Sequence, residues 1–129
     1  MDLGFKGKTV IITGGTKGIG SGISRVFAQE GANLVINYRS DNEGSSTKFI
    51  EDLKAEYGVR AIGVHAEVGT EEAANKIFDA AQKEFGRLDV LVNNAAGILF
   101  DAVIAGGLSG AFPLDFTLGY HFAKRSLNR

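Results

Sequence analysis

Apolar and polar positions fall along the chain in blocks of two kinds. Short, nearly continuous apolar runs, KTVIIT (8–13), ANLVINY (32–38), RAIGVHAEV (60–68) and LDVLVNN (88–94), read as strands buried on both faces. Longer segments with helical spacing separate them. Residues 18–30 put Ile19, Ile23, Val26 and Phe27 on one face and end near Gly31. Residues 42–57 present Phe49, Ile50 and Leu53 inward. Thr70 caps a third helix with Ala73, Ala74, Ile77, Phe78, Ala81 and Phe85 inside. Its first turn holds Glu71 and Glu72, which suit the positive end of the helix dipole.

Strand and helix in strict alternation predict an α/β fold, a doubly wound parallel sheet with strand order 3-2-1-4. The expected domain is a single dinucleotide-binding unit over residues 1–129. After the fourth strand, residues from Phe100 to Asn128 read as a long helix that is apolar nearly all round. Val103, Ile104, Leu108, Phe112, Phe116, Leu118 and Phe122 lie on it, and Pro113 kinks or restarts it. Such a helix needs cover, from a partner subunit in a homo-oligomer, from a missing segment of the chain, or from both.

Charge narrows the classes further. With 14 basic against 15 acidic residues, dispersed along the chain, no nucleic-acid or anionic-membrane surface is expected. No window approaches the roughly 18 consecutive apolar residues of a membrane span. The opening MDLGFKGK lacks the apolar core of a secretion signal. The absence of cysteine excludes disulfides, thiolate metal sites and a thiol nucleophile, and fits a cytoplasmic location. His65 and His121 have no second ligand at metal spacing, so no metal is expected. Ser109 and Ser126 have no histidine partner for a hydrolytic triad.

The densest chemistry is TGGTKGIG, Thr13 to Gly20, between the first strand and the first helix. Glycines there let the chain turn tightly and bring backbone N–H groups and a helix N-terminus to bear on one anion. Gly14 serves the turn, Gly18 the approach of a diphosphate, and Gly20 the packing of helix against sheet. Thr16 and Lys17 stand at the crest, where a hydroxyl and an ammonium can meet phosphate oxygens, and Ile19 completes the set. No Gly-Lys-Ser/Thr triplet follows, which argues against a nucleotide triphosphatase. About 20 residues on, an acid would grip the adenosine ribose hydroxyls. Here the chain reads NYRS: Tyr38, Arg39 and Ser40, with no acid before Asp41. A guanidinium there, with Lys17 nearby, favours a 2′-phosphate and so NADP(H) over NAD(H).

Together TGGTKGIG, NYRS, AEV and LDVLVNNAAG resemble the short-chain dehydrogenase/reductase family, almost continuously from Phe5 to Gly97. The resemblance implies a Rossmann fold and a nicotinamide cofactor, with Glu67 and Val68 at the adenine and Asn94, Ala95 and Gly97 in the turn beneath the cofactor. The family carries Asp or Asn where Glu67 stands, and Ala96 is an insertion. It also carries a Ser on the fifth strand and a Tyr-x-x-x-Lys pair on the next helix, where the tyrosine moves a proton and the lysine lowers its pKa. Tyr120 and Lys124 spell that pair, but Leu108, Gly110 and Phe112 register their helix with the one preceding the fifth strand. The match is read as chance, and no catalytic residue is assigned. Gly107 stands where many relatives carry a catalytic Asn.

The short stretch near residues 98–100 and the end at Arg129 lead to the expectation of a missing loop and a missing C-terminal half. The expected function is an NADP(H)-dependent oxidoreductase moving hydride between nicotinamide and a small carbonyl, alcohol or activated C=C substrate. The alternative is a non-catalytic dinucleotide-binding sensor or scaffold.

Overall fold

Each of the first three strands is followed by a helix that carries the chain back, so neighbouring strands run in the same direction. The computed structural model describes residues 4–67 and 70–94. Within them β1 (Thr9–Ile12) leads to α1 (Gly18–Gln29), β2 (Asn33–Tyr38), α2 (Ser45–Tyr57), β3 (Ala61–His65), α3 (Glu71–Phe85) and β4 (Val90–Val92). All pairings are parallel and the sheet order is β3-β2-β1-β4, the order expected. Ile11 lies between Val35 of β2 and Leu91 of β4.

Alternate strand residues feed two separate cores. Ile11, Val35, Val64 and Leu91 pack with Ala74, Ile77, Phe78 and Ala81 of α3. Val10, Ile12, Leu34, Ile36, Val90 and Val92 pack on the opposite face with Ala28 of α1 and Ile50 and Leu53 of α2. Side chains alternate across a strand, so covering both faces requires apolar residues at successive positions. The continuous runs in the sequence have that cause.

Helix α1 departs from expectation in which side faces inward. Its buried residues are Gly20, Ser24 and Ala28. Ile19 is 79% exposed and Val26 50% exposed, while Ile23 and Phe27 are partly buried against the core. The helix runs too close to the turn that precedes it for large side chains to fit between. Small residues therefore line its inner stripe.

Helix α2 starts three residues later than its spacing predicts. Residues Asn42–Gly44 form a single 3₁₀ turn, with Glu43 and Gly44 at φ of 55° and 73°. The Asp41 carboxylate accepts the amides of Ser46 and Thr47 at 2.8 and 3.0 Å and the Thr47 hydroxyl at 2.7 Å. Those bonds satisfy the first donors of α2 and set where it begins. The Thr70 cap on α3 is as expected, its hydroxyl oxygen accepting the Ala73 amide at 3.1 Å.

Strand β3 ends at His65 rather than Val68, because side chains take the carbonyls of its last residues. Asn37 Nδ2 donates to Val64 and Ala66, and Lys76 Nζ donates to His65.

At the other end of the sheet, Asp89 accepts the Thr9 amide at 2.8 Å and two Arg87 bonds at 2.7 and 2.6 Å. Burial pushes its carboxyl up, but bonds from Arg87 and Thr9 and the charges of Arg87 and Lys8 prevail and hold it below its ordinary value. A depressed carboxyl contributes stability above its unfolded-state value, and that contribution disappears as pH falls through the folded value. Asp89→Asn should therefore cost about 1–3 kcal/mol at neutral pH and flatten the acid limb of the stability profile. Denaturant melts from neutral to acid pH check this; an unchanged acid limb would refute it.

Candidate nucleotide site

A parallel sheet brings the ends of all its strands to one edge. The Thr13–Lys17 turn, the Arg39–Asp41 segment, Ala66–Glu67 and Asn93–Asn94 each follow the C-terminal end of a strand. The order reverses at β1, with β2 on one side and β4 on the other, and such switch points are where open α/β sheets form crevices.

The turn is built around Gly14, whose φ is 61°. Its amide donates to Asn37 Oδ1 at 3.2 Å, and its carbonyl accepts Asn94 Nδ2 at 3.1 Å. Thr13 reaches β4, its hydroxyl 3.1 Å from Asn93 Oδ1. Gly15 donates its amide to Asn37 O at 3.0 Å and accepts the Ser24 hydroxyl at 2.7 Å.

The glycines answer different needs. A Cβ on Gly15 would lie 2.7 Å from Ile36 Cγ2 and 2.8 Å from Ser24 Oγ, so Gly15 is the glycine pressed against the sheet. A Cβ on Gly20 would overlap the Gly14 carbonyl oxygen and stand 2.8 Å from Asn94 Nδ2. Gly20 thus packs α1 against its own turn, a correction to its expected role. Gly18 has φ of 53° and open space where a Cβ would project. The Ser21 amide reaches Lys17 O at 3.2 Å, while those of Gly18, Ile19 and Gly20 belong to the first turn, which has no intrahelical acceptors. These three donors and the positive end of the helix dipole lie at the edge of the sheet where the strands end.

The crest is tied to the end of β2 by two side-chain links. Ser46 Oγ donates to Ser40 O at 2.8 Å, so at the 2.8 Å contact between Thr16 and Ser46 the Thr16 hydroxyl is the donor. Its proton is committed to that chain. Lys17 Nζ donates to Ser40 Oγ at 3.0 Å, which leaves the Ser40 proton to be donated elsewhere. Arg39 stands beside Glu67, 3.9 Å apart, both side chains more than three-quarters exposed. The Arg39 carbonyl is bonded to His65 Nε2 at 2.9 Å, and the His65 ring stacks on Tyr38 with centroids 5.4 Å apart. Asp41, the nearest acid in sequence, has its carboxyl held low first by the Thr47 hydroxyl and then by the Thr47 and Ser46 amides. Both of its oxygens are occupied in capping α2.

Gly14, Thr16, Lys17, Gly18, Ile19, Gly20, Tyr38, Arg39, Ser40, Glu67 and Asn94 therefore all lie at this edge of the sheet. Val68, Ala95 and Gly97 lie outside the described residues, as do Tyr120, Lys124, Gly107 and the expected 100–128 helix. Sequence reasoning did not single out Asn37, Gly15, Ser24 or Ser46. Asn37 had a readable signal: an amide inside the apolar run NLVINY must find partners when buried. Among the described residues no cluster of His, Cys, Asp and Glu could hold a metal ion, and no helix is long and apolar enough to cross a membrane.

The short chain dehydrogenase family matches residues 8–107. A 3beta-hydroxysteroid dehydrogenase 1 of Eggerthella lenta is 47% identical over 93 residues, covering 70% of this chain and 34% of that protein. Glucose 1-dehydrogenase 2 of Bacillus subtilis is 44% identical over 89 residues, 69% of this chain and 34% of that protein. The crystal structure of L-sorbose reductase from Gluconobacter frateurii, complexed with NADPH and L-sorbose, superposes with a TM-score of 0.70 at 38% identity. It covers 74% of this chain and 36% of that one. The chain thus spans about a third of the length of these relatives.

Proposed function

The chain belongs to the short-chain dehydrogenase family, and from that premise we propose that it forms the cofactor-binding part of an NADP(H)-dependent oxidoreductase. The observation that carries the cofactor assignment is the Lys17–Ser40 contact, with the exposed Arg39 next to Ser40 in the chain, beside a glycine turn whose nearest acid, Asp41, is already committed. An NAD(H) site wants a carboxylate that accepts from the ribose 2′-hydroxyl. The Asp41 oxygens are held by three other donors. Two cations and the Ser40 proton suit a 2′-phosphate instead.

The residues divide the work along the ligand. Amides of Gly18, Ile19 and Gly20 and the α1 dipole hold the diphosphate, and Gly18 lets it approach the main chain. Thr16 acts through its backbone and through its grip on Ser46, which keeps the crest and the end of β2 in register. Tyr38 and Glu67 are assigned to the adenosine and Asn94 to the turn beneath the cofactor, and the family pattern assigns Val68 to the adenosine and Ala95 and Gly97 to that turn. When bound, the nicotinamide supplies or accepts hydride, and this part of the fold orients it. The substrate is proposed to be a small carbonyl, alcohol or activated C=C compound. The reading extends to a cytoplasmic homo-oligomer.

Turnover tests the enzyme assignment. The protein supplied with NADPH and a panel of ketones and aldehydes should consume reduced nicotinamide with at least one of them. Binding of NADPH with no oxidation by any carbonyl, and no reduction of NADP by the matching alcohols, would leave a binding protein and refute the enzyme.

A further inference from the structure

Asn37 is 2% exposed, and its side chain makes three bonds to two separate parts of the site. Its Oδ1 accepts the Gly14 amide at 3.2 Å, and its Nδ2 donates to Val64 O at 3.2 Å and Ala66 O at 2.9 Å. The reverse amide orientation would set donor against donor and oxygen against two carbonyls, so the partners fix which way it points. Its own carbonyl takes the Gly15 amide. One amide thus bolts the glycine turn to the last residues of β3, immediately before Glu67.

We propose that Asn37 is a positioning residue that couples the two halves of the nucleotide site, holding the diphosphate turn in register with the adenine-side segment after β3. This rests on the dinucleotide reading above. A bound dinucleotide spans both halves, so its affinity depends on their relative placement; a ligand confined to the adenosine side meets the turn only at Lys17, where the crest is tied to the end of β2 by the Thr16–Ser46 and Lys17–Ser40 bonds independently of Asn37, and does not sense it. A corollary concerns Gly14. Its amide is committed to Asn37, so Gly14 shapes the turn and contributes no donor to the phosphate.

Two variants separate the bonds. Asn37→Asp keeps an acceptor for the Gly14 amide but sets an oxygen against the Val64 and Ala66 carbonyls. Asn37→Ala removes all three bonds. Hydrogen exchange should show the Gly14 amide protected in the wild type and in N37D but not in N37A. Titration should show both variants losing about tenfold or more in NADPH affinity, while affinity for adenosine 2′-monophosphate stays within about threefold. A general loss of stability would not produce that split, and N37D decides the matter if N37A does not fold. Equal losses for both ligands, no loss for either, or unchanged Gly14 exchange in N37A would overturn the coupling while leaving the site assignment standing. A wild-type protein that binds neither ligand would overturn the dinucleotide reading and this inference with it.

Discussion

Gly20→Ala should abolish measurable dinucleotide binding. A methyl group at position 20 would overlap the Gly14 carbonyl oxygen and crowd Asn94 Nδ2. The Gly14 carbonyl is main chain and cannot step aside, and the Asn94 amide, though the end of a side chain, is bonded to that same carbonyl. Gly14 is itself held by Asn37 on one side and Asn94 on the other. The helix would have to move outward, taking with it the first-turn amides that meet the diphosphate and loosening the Ser24 bond to Gly15. Overpacking of this kind costs about 1–3 kcal/mol and more where the backbone cannot yield. Gly22→Ala on the same helix is the matching control. Position 22 is exposed, with nothing within 4 Å of an added Cβ. That change should stabilise the helix by about 0.5–1 kcal/mol and leave binding intact. Thermal melts with and without NADPH check both; equal behaviour of the two variants would refute the packing argument.

Arg39→Ala and Lys17→Ala should each weaken NADPH while sparing NADH. A hydrogen bond to a charged group contributes about 1.5–3 kcal/mol, which corresponds to about 10–100-fold in affinity. Arg39 should lie at the upper end, because a guanidinium can grip a phosphate with two bonds. Its only ion pair among the described residues is the long, exposed one to Glu67, so little must be given up to make them. Lys17 should lie lower, since its ammonium already has Ser40 as a partner. NADH affinity should change by less than about twofold in either variant. Raising the salt concentration should narrow the NADPH–NADH gap in the wild type, as screening weakens exposed charges. Parallel losses for both cofactors would mean that the cations do not read the 2′ position.

Most of the architecture was legible because its cause is local and periodic. Buried parallel strands demand runs such as TVII and LVIN, and helical spacing in 71–85 located α3 together with its Thr70 cap. The inward side of α1 was only half legible from spacing: Ile23 and Phe27 pack against the core as expected, but the innermost stripe is Gly20, Ser24 and Ala28, because the position of the helix is set by the glycine turn and not by its large residues. Ile19 and Val26 consequently lie exposed. The late start of α2 depended on where the Asp41 carboxylate reaches, which no periodicity encodes.

The site shows the same division. Glycines, Lys17, Arg39 and Ser40 stood out by type and spacing. What holds them did not: Asn37, Ser24 and Ser46 act across 9 to 30 residues of sequence, and only the folded chain brings them to their partners. Thr16 illustrates the cost of reading type alone. A hydroxyl at the crest suggested a phosphate ligand, yet its proton goes to Ser46.

Calorimetric titration of the folded protein with NADPH and NADH, side by side at low and moderate salt, addresses the nucleotide site most directly. The arrangement of Gly18–Gly20, Lys17, Ser40 and Arg39 predicts saturable binding of both, with NADPH tighter by about tenfold or more at low salt. Binding of neither nucleotide, or NADH binding as tightly as NADPH, would contradict it.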